Sequence, residues 1–145
     1  MLEKPEEHFV GKIAQKAIIT DGEKILLARD VKDEDTWEIP GGRLNVDEDP
    51  KAGLARELYE ELGCDFEIGD MFYAEQFLHQ RDNHHALLLT YEASLKDPQA
   101  VFTLAPDEVA EVKWVHYADI NHQHIFDNCL RAIQAYIKRK FPADQ

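Results

Sequence analysis

Between Gly41 and Cys64 the chain reads GGRLNVDEDPKAGLARELYEELGC, and this stretch restricts the fold more than any other. Asp47 to Asp49 supply a helix N-cap, and Pro50 suits the first helical position, where its fixed φ and missing N–H are harmless. Gly63 suits the left-handed residue that closes a helix. A helix is therefore expected from Pro50 to Leu62, with Leu54, Ala55, Leu58 and Leu62 as its buried stripe. At about 100° per residue, Glu57, Glu60 and Glu61 share an arc of roughly 100°, centred about 120° from the leucines. One segment can thus pack against a core and present three carboxylates elsewhere.

Like charges one turn apart destabilise a helix, and no Lys stands where it would offset these. A solvated acidic surface is the plain alternative. The cluster also has the chemistry of a hard-cation site, because Mg²⁺ and Mn²⁺ take oxygen ligands and keep positions for water and phosphate oxygens. Arg56 is the adjacent cation, able to fork onto a carboxylate and fix its rotamer. Over the whole chain, 16 basic and 29 acidic side chains give a net charge of −13. That balance argues against a nucleic acid polymer or an anionic membrane surface as partner; if the ligand is phosphorylated, something must cancel the charge, and a divalent cation is the economical candidate.

The remaining segments read as α/β, in one domain spanning residues 1–145. Residues 1–10 read as a loose or edge segment. Strands are expected from Lys12 to Thr20 and from Lys24 to Ala28, joined by Asp21-Gly22 as a type I′ hairpin turn. A polar loop from Arg29 to Asp35 leads to an extended piece, Trp37 to Ile39, which Pro40 ends. Beyond the acidic helix, strands are expected at Asp65 to Ile68, Met71 to Leu78 and Ala86 to Ala93, with Gln80 to Asn83 as a polar turn, and then at Glu111 to His116. An amphipathic helix is expected from Asn121 to Phe141, its last turn carrying Lys138, Arg139 and Lys140 against the negative end of the dipole. Cys64 and Cys129 are too few for a disulfide framework and read as buried thiols. No apolar run reaches the ~20 residues of a membrane helix, and the first residues lack the apolar core of a signal peptide, so a cytoplasmic protein is expected.

Gly42, five residues, Glu48, seven residues, then Arg56-Glu57-Leu58-Tyr59-Glu60-Glu61-Leu62-Gly63-Cys64 resembles the Nudix box, the signature of the Nudix (MutT-like) hydrolases. Cys64 stands where an aliphatic residue is usual, and Asn45 where many members carry Glu. The lead-in WEIPGG, the flanking strands and the closing helix resemble the family's layout as well. The resemblance implies an α/β/α sandwich with a mixed, partly barrel-like sheet. It also implies Mg²⁺- or Mn²⁺-dependent hydrolysis of a nucleoside diphosphate linked to another moiety, X. By the same resemblance Glu57 and Glu61 correspond to the principal metal ligands, Glu60 to a further ligand or general base, and the Gly41 carbonyl to part of the metal shell. Arg56 and Glu48 correspond to the pair that orients those carboxylates. Glu108, in the loop Ala105-Pro106-Asp107-Glu108, is a second candidate base, with Glu111 behind it.

Substrate recognition is less legible. Trp37 could stack on a base or anchor the core, and Arg29 could meet phosphate or ribose or simply end a strand in solvent. His79, His84 and His85 lack a third ligand at the spacing of a closed transition-metal site. The downstream marks of the ADP-ribose, NADH and dinucleoside polyphosphate subfamilies are absent, with His79 and Gln80 standing where the first would have proline. The expected partner is a small nucleotide-type diphosphate, and a homodimer is compatible with the sequence. A Nudix-fold binding or sensor domain without turnover is the alternative, which the complete set of box carboxylates disfavours, and an isomerase of allylic diphosphates is disfavoured by the short chain.

Overall fold

The computed structural model describes residues 6–79 and 81–142. Six strands form one mixed sheet: β1 (Gly11–Asp21), β2 (Lys24–Asp30), β3 (Gly41–Arg43), β4 (Phe66–His79), β5 (His84–Leu95) and β6 (Val109–His116). Two helices, α1 (Pro50–Leu62) and α2 (Asp127–Lys140), cover it. The strand order is β4-β5-β1-β2-β6, with β3 paired to β1 alone, so the sheet is open and ends at β4 and β6. β1 runs parallel to β5 over residues 11–19, while on its other side it pairs antiparallel with β3 at residues 14–16 and with β2 at residues 20–21. That change of neighbour puts the Gly41-Gly42 pair beside the middle of the central strand.

Alternation along β1 and β2 builds two cores. Ala17, Ile19 and Leu26 face α1 and meet Leu54, Leu58 and Leu62, each fully buried. Ile18, Ile25 and Leu27 face α2 and meet Cys129, Ile133 and Tyr136. Burying each α1 leucine contributes about 1.5–3 kcal/mol. Ala55 is only half-buried, and the fourth inward position belongs instead to Gly53.

The caps of α1 form as the sequence suggests: the Asp49 carboxylate accepts the Ala52 N–H at 3.0 Å, and Gly63 takes φ 70° with its N–H donated to the Tyr59 carbonyl. Other boundaries differ for identifiable reasons. In the first hairpin Asp21 still pairs with Lys24, so the loop is Gly22-Glu23, and of these two only Gly22 has positive φ (61°), the II′ rather than the I′ requirement. The two short strands expected on either side of Gly69-Asp70 are one strand, β4, whose register shifts between Ile68 and Tyr73 absorb the break as bulges. Part of the following polar turn, Gln80, lies outside the described residues, as do residues 1–5. The closing helix starts later than expected. Tyr117–His122 forms a 3₁₀ turn, and the next residues are extended because Trp37 claims their backbone: its N–H donates to the His124 carbonyl and its carbonyl accepts the Phe126 N–H. No described helix is long and apolar enough to cross a membrane.

Candidate active site

Gly41 and Gly42 are forced by contact. A Cβ on Gly41, which has φ 145°, would sit 2.0 Å from the Gln15 carbonyl oxygen of β1, and one on Gly42 would sit 2.4 Å from the Glu57 carboxylate. The pair therefore forms a floor without side chains, over which two helix carboxylates lie. Glu57 occupies the space above Gly42, and Glu61 accepts the Gly41 N–H at 3.3 Å.

Arg56 organises the other acids. Its Nε and Nη2 donate to both oxygens of Glu48 at 2.6 and 3.1 Å, its Nη1 donates to Glu60 at 3.0 Å, and Nη2 also reaches Glu57 at 3.2 Å. Glu48 is fixed from two further sides, by the Asn45 N–H at 3.1 Å and by Gly53, where a Cβ would come within 2.6 Å of its carboxylate. Hydrogen bonds from Arg56 and then from Asn45 hold the Glu48 carboxyl below its usual range. A guanidinium shared among three carboxylates restrains each of them without neutralising the set.

Burial works in the opposite direction on the two acids nearest the glycines. Desolvation pushes the Glu57 carboxyl up, against the pull of Arg56. It pushes Glu61 up to about 8, with the Lys16 ammonium and the Gly41 N–H opposing the shift. Lys16, on β1, donates to Glu38 at 3.1 Å. Burial alone would pull its ammonium down, but the surrounding negative groups, Glu38 foremost, hold it above the usual range.

The late loop docks onto the C-terminal end of α1. Thr103 and Ala105 donate their N–H groups to the Leu62 and Glu61 carbonyls, both at 2.9 Å, so the loop satisfies carbonyls that a helix end leaves open. Glu108 is thereby brought close enough to Glu57 to disfavour its ionisation. The Glu108 carbonyl also accepts the Val31 N–H, which ties this loop to the end of β2. Glu111 pairs with Arg29 at 3.4 Å.

Trp37 does not offer an open stacking face. It is 9% exposed and belongs to the α2-side core, with the Lys113 ammonium 4.1 Å above its ring. Of the two roles open to it in the sequence, the structure favours the core anchor. Arg29 also lies near that ring, at 5.9 Å, and donates to the Asp33 carbonyl. His79 and His84 stack on each other beside Asp82 without forming a ligand set.

A divalent cation fits the donor chemistry here. Glu57, Glu61 and the backbone at Gly41 offer hard oxygens around a cradle that a Cβ at Gly42 would fill. The set is not preassembled: among the described residues no three His, Cys, Asp or Glu side chains converge as a ready metal site. Arg56 instead engages Glu60 and one oxygen of Glu57. Lys16, Glu38 and Gly53 were not singled out in the sequence. A Lys amid the apolar residues of a central strand was the available signal for the first, since a buried ammonium demands a partner.

A sequence model of the NUDIX domain matches residues 12–135. A MutT-like protein of Streptomyces ambofaciens is 31% identical over 115 residues, covering 74% of this chain and 70% of the relative. A protein of Mycobacterium tuberculosis named putative 8-oxo-dGTP diphosphatase 2 is 31% identical over 116 residues, covering 74% and 82%. The solution structure of the Escherichia coli ORF135 protein superimposes with a TM-score of 0.77 over 97% of this chain and 100% of that one, at 23% identity. The chain belongs to the Nudix family, and its class within the hydrolases is that of the Nudix pyrophosphohydrolases.

Proposed function

We propose that the chain hydrolyses the pyrophosphate linkage of a nucleoside diphosphate derivative with Mg²⁺ or Mn²⁺ bound at Glu57, Glu61 and the Gly41 backbone, with Glu60 either a further ligand or the base. The observation that carries this reading is the pair of partly buried carboxylates held over the Gly41-Gly42 floor, with burial working against their ionisation until a cation arrives. When bound, the cation supplies charge neutralisation at the pyrophosphate oxygens and activates water. Arg56 and Glu48 orient the helix acids through the hydrogen bonds described above. Glu60, half-exposed at the edge of the guanidinium fan, or Glu108, beside Glu57, accepts the proton of the attacking water. Arg29, held at the same loop junction as Glu108, meets the anionic substrate at the mouth.

The name of the mycobacterial relative supports nucleoside triphosphates with an altered base as the first class to examine. Incubation of the protein with a panel of nucleoside di- and triphosphates, 8-oxo-dGTP among them, followed by product identification, tests the proposal. A nucleoside monophosphate released only in the presence of Mg²⁺ or Mn²⁺ is the expected result. Nucleotide binding without any cleavage across the panel would instead support a sensor domain.

A further inference from the structure

Lys16 has no part in the chemistry above, yet strand register sets it beside the glycine floor of the acidic site. On β1 it lies opposite Gly41 of β3 on one side and Thr90 of β5 on the other. Approach to Gly41 is close: a Cβ built there would stand 2.8 Å from the Lys16 Cα. The Gly41 N–H in turn donates to Glu61. The lysine side chain is 17% exposed, and its ammonium donates to Glu38, itself 25% exposed, two residues before Pro40 and the glycine floor. Pairing with one carboxylate is what a buried ammonium requires. A second carboxylate, Glu61, accepts the N–H of Gly41, the residue that lies opposite Lys16 across the strand pair, so the lysine and Glu61 adjoin the same glycine.

We propose that Lys16 is a positioning residue that sets how tightly the acidic centre holds a divalent cation: its fixed ammonium occupies part of the negative field of Glu38 and Glu61 and repels the cation. This rests on the metal reading given above. Physically, the ammonium serves two ends. In the resting protein it offsets the repulsion between Glu38 and Glu61, which would otherwise push both toward solvent. Toward an incoming dication it is a like charge, and repulsion of that kind across a medium of intermediate dielectric is worth roughly tenfold or more in affinity. The centre therefore holds its cation weakly until an anionic pyrophosphate adds further oxygen ligands, so that cation and substrate are bound together.

Titration of the nucleotide-free protein with Mn²⁺, following free Mn²⁺ by electron paramagnetic resonance, tests this without reference to turnover. With the pH held above the range in which Glu61 titrates, so that loss of the ammonium cannot act by protonating that acid, Lys16→Met is expected to tighten Mn²⁺ binding by about tenfold, Glu38→Gln to weaken it, and Lys16→Arg, which keeps the charge, to leave it near wild type. A purely structural ion pair predicts effects of the same sign for the first two variants, and that outcome would overturn the proposal. The double variant Lys16→Met/Glu38→Gln removes both charges and leaves no orphan in the core, so it guards against misfolding of the single variant. Measured against Glu38→Gln, it is still expected to bind Mn²⁺ about tenfold tighter. Tightening that appears only when Glu38 is present would mean that Glu38 has become a ligand, and would count against the charge argument. Loss of binding in Glu57→Gln locates the cation; wild-type protein that binds no Mn²⁺ at a Glu57-dependent site would remove the metal reading and this inference together, whereas normal binding unchanged by Lys16→Met removes the inference alone.

Discussion

Two adjacent glycines separate folding from chemistry. A methyl group on Gly42 would meet only the far end of the Glu57 side chain, which can swing away, so Gly42→Ala is expected to keep a near-native melting temperature while lowering activity by about tenfold or more. A methyl on Gly41 would meet the Gln15 backbone at a φ that L residues rarely adopt, and Gly41→Ala should cost on the order of 1–3 kcal/mol or more. Thermal unfolding and initial rates measured on both variants check the contrast; equal loss of stability in the two would contradict it. At the carboxylates, Glu57→Gln and Glu61→Gln should each lower the rate on the order of 100-fold or more while the protein stays folded. Much of this residue-level detail was legible because spacing on a helix converts directly into direction. The role of Gly53 beneath Glu48 was not, because it arises from contact between a loop acid and the helix it precedes. The core-anchor role was one of the two open to Trp37 in the sequence; the Lys113 ammonium over its ring, from a strand far along the chain, was not legible.

The elements divide the work between holding and presenting. α1 is pinned by three fully buried leucines, by Asp49 at one end and by the Thr103 to Ala105 loop at the other. Leu58→Ala should therefore cost about 2–5 kcal/mol in denaturant titration, and Asp49→Ala about 1 kcal/mol. α2 is tied to the edge strand β4 by the bidentate Arg131–Glu75 pair, in which Tyr73 also donates to Glu75. The Arg131 hydrogen bonds, with that of Tyr73, outweigh burial and hold the Glu75 carboxyl below its usual value. A carboxyl depressed in the folded state contributes stability above its unfolded pKa and loses it as pH falls through the folded value. Arg131→Met should thus lower stability by about 1 kcal/mol at neutral pH, with the difference from wild type shrinking under acid conditions as Glu75 is protonated. Melting curves at several pH values check this, and a difference that stays constant down to strong acid would refute it. The caps of α1 could be read from Asp49, Pro50 and Gly63 because they are local. The late start of α2 could not, because residues 123–126 are drawn into extended backbone pairing by Trp37, a partner remote in sequence.

For the molecule as a whole, the net charge of −13 and the family membership meet at one place. The open mixed sheet brings β3 against the middle of β1 and lays α1 over it, so a chain that would repel phosphate concentrates its acids where a cation can reverse the local field. The strand order was beyond sequence pattern, since periodicity identifies strands but not which of them become neighbours, and the parallel β1–β5 pairing spans some seventy residues of chain. Sequence did carry the local architecture of the centre, because glycine floor, N-cap and acidic face fall within one continuous segment. The most direct test is cleavage of a nucleoside triphosphate by metal-depleted protein before and after addition of Mg²⁺, with Glu57→Gln run in parallel. The account predicts no product without metal, restoration of nucleoside monophosphate release by Mg²⁺ in the wild type, and little or none in the variant. Undiminished cleavage in the presence of chelator, or by Glu57→Gln, would contradict it.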